Sequence, residues 1–177
     1  MSKPFPGAAA LLAAFLLAAP ACKHADVHVT DTIEEAPRLP STVRTADPAT
    51  AGQLVSGFYD IEDKAWRWTA QKFAVNLRPP ARAAQQGATL EFQFTIPKSS
   101  LDKLGSITLT ATAGGITLPS ETYMKAGEHT YRREVSATVL GSDTVRVDFA
   151  LDKAIPPGDA DKRELGVVAA SIGLVAK

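Results

Sequence analysis

Two tryptophans flanking an arginine, Trp66-Arg67-Trp68, follow shortly after Tyr59 and form the group of side chains in this sequence best suited to hold a flat, hydroxylated ligand. In an extended chain successive side chains alternate, so Trp66 and Trp68 share one face and Arg67 takes the other. Indole rings on an exposed sheet face stack against the apolar face of a sugar ring, and neighbouring Arg or Glu side chains hydrogen-bond its hydroxyls. Tyr59, Trp66, Arg67 and Trp68 are therefore the candidate ligand contacts. The competing expectation is structural: one or both tryptophans fill the core, Trp68 in preference to Trp66, and the charged residues pin a corner of the fold. In that case Arg67 pairs with Glu62 or Glu164 and Arg163 pairs with Asp161, because a bidentate Arg–carboxylate pair fixes planar donors. A split of the two indoles between core and contact requires a bulge or the end of the sheet between them.

Other chemistries find little to work with. Cys22 is the only cysteine, which excludes an internal disulfide and a Cys-based zinc site. His24 and His28 bracket Asp26, but in a polar stretch where nothing would fix a metal geometry. Asp60, Glu62 and Asp63 are clustered along the chain, and no second acid can be set at the separation a glycoside hydrolase needs. No Gly-x-Ser-x-Gly elbow occurs. The expectation is a chain that is not an enzyme, with no catalytic residues, no metal and no cofactor.

Cys22 has its own context. It stands behind Lys3, an apolar run from Ala8 to Ala19, and the small residues Ala19-Pro20-Ala21. The run fits the ~7–15 residues of a signal h-region and falls short of the ~20 needed to cross a bilayer as a helix. Residues 1–21 read as a signal peptide and Cys22 as the lipid acceptor of a bacterial lipoprotein, held in the cell envelope at the outer membrane or periplasmic face. Ala19-x-Ala21 also satisfies the rule for ordinary secretion, the alternative outcome of the same leader. Residues 22–50 are polar and punctuated by Pro37, Pro40 and Pro48, a composition that cannot offset its ordering entropy, and they read as a flexible tether.

Residues 51–177 leave room for one domain. Alternation at period two runs through Leu90–Ile96, Phe73–Leu77, Ile107–Ala111 and Val145–Leu151. Residues 116–124, 129–139 and 165–175 are further strand candidates, the last apolar on both faces and therefore central. Turn signals such as Arg78-Pro79-Pro80, Gly114-Gly115 and Gly141-Ser142-Asp143 separate them. Ser99 to Leu104 is the one helical hint. The implied fold is all-β, an antiparallel two-sheet β-sandwich of jelly-roll kind. Nineteen basic residues balance nineteen acidic ones, and no basic cluster is interleaved with aromatics, so nucleic acid is not expected as a partner.

One further pattern joins the tryptophan segment to the end of the chain. Gly57-Phe58-Tyr59, Glu62 and Arg67-Trp68, taken with Asp161-Lys162-Arg163-Glu164-Leu165-Gly166, resemble the β-sandwich accessory module attached to bacterial glycosyltransferases and found in surface-polysaccharide proteins. The resemblance spans roughly residues 54–175 and departs from the pattern at Phe58, where tryptophan is common, and at Asp60, where proline often sits. It implies no catalytic residues, because the module accompanies enzymes. From it and the residues follows the expectation of a membrane-anchored, non-enzymatic module for cell-envelope carbohydrate. The rival is a structural or adaptor lipoprotein that binds another envelope protein.

Overall fold

The alternation in the fourth strand survives folding intact: Leu90, Phe92, Phe94 and Ile96 are all buried while Gln93 between them is exposed. A computed structural model describes residues 39–177 of the chain. Its strands, in chain order, are β1 (Thr42–Arg44), β2 (Leu54–Glu62), β3 (Trp66–Leu77), β4 (Ala88–Ile96), β5 (Ile107–Ala113), β6 (Ile116–Thr117), β7 (Glu121–Tyr123), β8 (Gly127–Val135), β9 (Val145–Leu151) and β10 (Val168–Ala176). Two short helices, α1 (Ala83–Gln86) and α2 (Lys98–Leu104), sit in the connections on either side of β4.

All strand pairings are antiparallel. One half of the sheet runs β1-β10-β4-β8 and the other β3-β9-β5-β7, which is the strand order of a jelly roll. β2 adds a strand to the free edge of β3. The halves are continuous through β3, whose first residues pair with β10 and whose last six pair with β9. The curled sheet closes on one core. Phe92 of β4 and Phe149 of β9 lie in opposite halves with ring centroids 5.1 Å apart, and Phe73 of β3 contacts both, at 5.5 and 4.9 Å. Such aromatic pairs add to simple area burial, so this trio is the point where the two halves are fastened.

Several expectations are refined. The all-β antiparallel fold is as read, and β10 is central, lying between β4 and β1. The helical hint is α2, although its cap position is Pro97 and no side chain caps it. The segment expected as one strand over 116–124 is broken into β6 and β7 by Leu118-Pro119-Ser120, because proline cannot donate to a ladder. The strand expected over 129–139 begins and ends earlier, as β8.

The boundary expected at residue 50 is corrected. Val43 is fully buried, β1 pairs with β10 from Thr42↔Gly173 to Arg44↔Ser171, and a 3-10 turn capped by Asp47 spans Pro48–Gln53. These residues belong to the domain because one apolar side chain, Val43, enters the core between polar neighbours that face out. The remainder of the expected tether, the leader and Cys22 lie outside the described residues.

The core assignment gives a first test. Phe92→Asp places an unpaired charge in the fastening trio and is expected to prevent folding, whereas Thr130→Asp on the outward face of β8 is expected to shift stability by no more than about 1 kcal/mol. Urea denaturation followed by circular dichroism reads both, and equal tolerance of the two would overturn the assignment of faces.

Candidate functional site

β3 must leave one partner and take another, and the residues at that switch determine the geometry of the tryptophan segment. Trp68 pairs with Val168 and Arg67 with Ala169, both on β10. The pairing with β9 resumes only at Lys72↔Ala150. Between these points the backbone of residues 69–71 needs other partners, since buried main-chain groups are seldom left unpaired. They come from the segment just before β10. Gly166 donates its N–H to the Thr69 carbonyl (2.7 Å), Thr69 donates to the Val167 carbonyl (2.9 Å), and Val167 donates to Thr69 Oγ1 (3.1 Å). The Gln71 N–H donates to Glu164 Oε1 (2.8 Å), and the Gln71 amide reaches across to the Leu151 and Asp152 carbonyls at the end of β9.

Gly166 fits this approach. A Cβ there would stand 2.6 Å from both the Ala70 carbonyl oxygen and Thr69 Oγ1, inside any contact a real Cβ makes. Gly57 is constrained in the same way on the other edge of β3, with φ +73° and its missing Cβ aimed at the backbone of Lys72 and Phe73.

The charged residues of the two patterns meet here, with different partners from those expected. Arg163 binds Asp161 through two parallel hydrogen bonds, Nε to Oδ1 (3.0 Å) and Nη2 to Oδ2 (2.8 Å), and sends Nη1 to Glu62 Oε1 (2.7 Å). Arg163 with Asp161 is the pair the sequence suggested, and Glu62 joins it. Arg67 pairs with neither Glu62 nor Glu164. Its Nε donates to the Thr45 carbonyl and its Nη1 to the Tyr59 carbonyl, each at 2.7 Å. The reason is its face: Arg67 lies beside the buried Ala169, on the inward side, where main-chain acceptors of β1's end and of β2 are within reach. Tyr59 is also committed. Its hydroxyl donates to the Glu164 carbonyl (2.8 Å), and the Arg163 guanidinium stands 5.2 Å from its ring centroid. Tyr59 and Arg67 are thus parts of the corner and not free ligand contacts.

The tryptophans remain. Both are half-buried and neither belongs to the core, so the expected burial of Trp68 does not occur. They share the outward face, opposite in parity to the buried Thr69, Phe73, Val75 and Leu77. Of the three register shifts in the β2–β3 pairing, the one nearest the tryptophans places an extra residue on β2, between Phe58 and Ile61, and leaves the spacing of Trp66 and Trp68 unaltered.

Cross-strand register carries this outward face over the β1-β10-β4-β8 half. Trp68, Val168, Thr95 and Glu128 form one row across four strands; Arg44, Ser171, Gln93 and Thr130 form the next. Two cavities lie over these rows and share Gln93 and Ala170. One, about 310 Å³, is lined by Gln93, Thr95, Glu128, His129 and Thr130. The other, about 430 Å³, is lined by Arg44, Asp47, Lys64, Ala65, Gln93 and Ser171. Ser171 Oγ donates to Gln93 Oε1 (3.0 Å), which orients the Gln93 amide in the floor. The groove was missed at the level of sequence because Gln93, Thr95, Thr130 and Ser171 read as the ordinary polar side of half-buried strands. Among the described residues no cluster of His, Cys, Asp and Glu is grouped to hold a metal ion.

No family model matches the chain, and no curated protein matches it. Solved structures that it is similar to include a carbohydrate-binding module, TmCBM27, studied for specific mannan recognition (12% identity, 77% of this chain and 95% of that one, TM-score 0.43). A second is the carbohydrate-binding module CBM36 in complex with calcium and xylotriose (9% identity, 75% and 98% covered, TM-score 0.42). A third is dimeric latent PorU from Porphyromonas gingivalis (13% identity, 59% of this chain, TM-score 0.39), of which the matched part is 10%.

The corner carries its own pH signature. Hydrogen bonds from Arg163, first from its guanidinium and then from its backbone N–H, hold the Asp161 carboxyl down at about 2. A carboxyl lowered in the folded state stabilises fully above its ordinary value near 3.8 and loses that contribution as pH falls toward about 2. Asp161→Asn is expected to flatten the fall of the thermal midpoint between about pH 4 and pH 2. Unchanged steepness in the variant would show that the Asp161–Arg163 pair does not couple to folding.

Proposed function

We propose that this chain is a non-enzymatic carbohydrate-binding module of the bacterial cell envelope, carried on a lipid anchor at Cys22. The observation that supports the binding role is the outward placement of Trp66 and Trp68 beside a polar groove. Half-buried indoles keep one part packed and present another to solvent, the combination that suits a ligand with an apolar face and hydroxylated edges. The groove supplies amide, hydroxyl and charged groups from Gln93, Thr95, Thr130, Ser171, Glu128 and Arg44. The sugar ring lies against the indoles and its hydroxyls hydrogen-bond along the groove; no bond is made or broken. Support for the anchor comes from Cys22 behind an apolar leader. Two or three acyl chains hold a protein firmly where one does so only marginally, each buried methylene contributing ~0.8 kcal/mol.

Trp66→Ala and Trp68→Ala are expected to weaken retention on envelope polysaccharide, read by affinity electrophoresis. Thermal midpoints should fall by far less than the ~3–5 kcal/mol equivalent of emptying a core aromatic site. Undiminished retention in both variants would remove the tryptophans from the site. For the anchor, Cys22→Ser is expected to move the protein from the membrane fraction to the soluble one, and identical fractionation of variant and parent would overturn the lipoprotein reading.

A further inference from the structure

Resting on the carbohydrate reading above, we infer that the ligand is an acidic polysaccharide, with an anionic sugar substituent seated between Arg44 and Lys64. The two side chains come from different elements. Arg44 is the last residue of β1, exposed and in register with Ser171. Lys64 is in the turn joining β2 to β3, where Asp63 and Lys64 have φ of 49° and 57° and the Ala65 N–H closes back on the Glu62 carbonyl (3.0 Å). Both line the cavity of about 430 Å³, with Ser171 and Gln93 also in its wall. Ala65, which lines it too, is followed at once by Trp66.

Neither cation is paired with another described residue. Among the described residues, Arg44 and Lys64 appear in no ion pair, whereas Arg132, Arg133, Arg146 and Arg163 each meet a carboxylate. The one acid in the same cavity is Asp47, and its Oδ1 is occupied in accepting the Ala49 N–H (2.9 Å) as the cap of the 3-10 turn. Two cations set against one engaged carboxylate leave this part of the groove electropositive. Glu128 lies in the neighbouring cavity and does not line this one. A guanidinium and an ammonium lining the same open cavity suit an oxyanion, the first by paired hydrogen bonds and the second as a point charge. Trp66, next to the groove wall, then stacks on the ring that bears the anion.

The test uses the full-length parent protein, Arg44→Gln, Lys64→Gln and the double variant in affinity electrophoresis. The gels contain a uronic-acid polysaccharide, the same polymer after carboxyl reduction, dextran and dextran sulfate. The inference expects retention on the uronate polymer, loss on its carboxyl-reduced form, and about tenfold weaker binding in the double variant with an unchanged thermal midpoint. Equal retention on the uronate and reduced polymers overturns the anionic class and leaves the carbohydrate reading standing. Retention on dextran sulfate that survives Trp66→Ala and the double variant alike marks non-specific polyanion binding and overturns the inference. No retention on any polymer overturns the carbohydrate reading and the inference with it.

Discussion

The hydrogen-bond handover in β3 is the constraint on which the rest of the fold depends. A strand that serves both halves of a curled sheet must cross a gap where neither partner is in register, and the amides in that gap have to be satisfied locally. Here the gap is filled by Glu164, Gly166 and Val167 on one side and by the Gln71 amide reaching the Leu151 and Asp152 carbonyls on the other. Removing the glycine would put a Cβ into the Ala70 carbonyl and push the incoming segment away from β3. The acidic and basic residues just before it serve the same end. Arg163 clamps the segment to Glu62 at the far end of β2, and the Tyr59 hydroxyl fastens it at Glu164. These groups are a third exposed or thereabouts, so the clamp acts mainly through geometry and contributes modestly to stability.

That corner also decides where the indoles go. Arg67 is drawn inward by two main-chain carbonyls, and alternation then leaves Trp66 and Trp68 no face but the outer one. The same residues that looked like rival candidates for ligand contact and structural support therefore divide the two tasks between opposite faces of one strand. The outward face continues in register through β10, β4 and β8, so the position of the groove is set by the handover and not by a loop. Sites built on strands are held more precisely than sites built on loops.

Much of this was legible from sequence wherever burial is one-sided. β4, β5 and β9 alternate cleanly because one face packs on the aromatic core and the other meets water. β2 was not legible as a strand, since its repeated register shifts against β3 scramble the alternation. The turn after it carries neither glycine nor asparagine, yet Asp63 and Lys64 both take positive φ, which the flanking pairing imposes. β1 was concealed within a polar, proline-punctuated stretch, because a three-residue strand needs only Val43 to be apolar. The partners of Arg67 left no trace in the sequence, as main-chain carbonyls belong to every residue type. Gly166 stood in the sequence as the last residue of the 161–166 pattern, and only glycine fits so close an approach.

An adaptor role would need a different surface, a bare strand edge or a contiguous apolar patch for a second protein to cover. The edge at β8 carries Glu128, Arg132, Arg133 and Glu134, and Arg132 and Arg133 are tied to Glu91 and Glu121. Arg133 also donates to the Pro119 and Ser120 carbonyls, bringing the loop before β7 alongside that strand. The edge at β2 is interrupted by its bulges, which twist an edge away from added pairing. The large apolar side chains exposed among the described residues, Leu39, Val55, Ile116, Met124 and Val175, come from separate elements along the chain. Charge discourages strand addition at the β8 edge and bulges do so at the β2 edge, while the tryptophans stand on an outward sheet face beside a polar groove. The physical asymmetry between these two guarded edges and an outward aromatic face is what favours a ligand lying across the sheet over a partner extending it at β8 or β2.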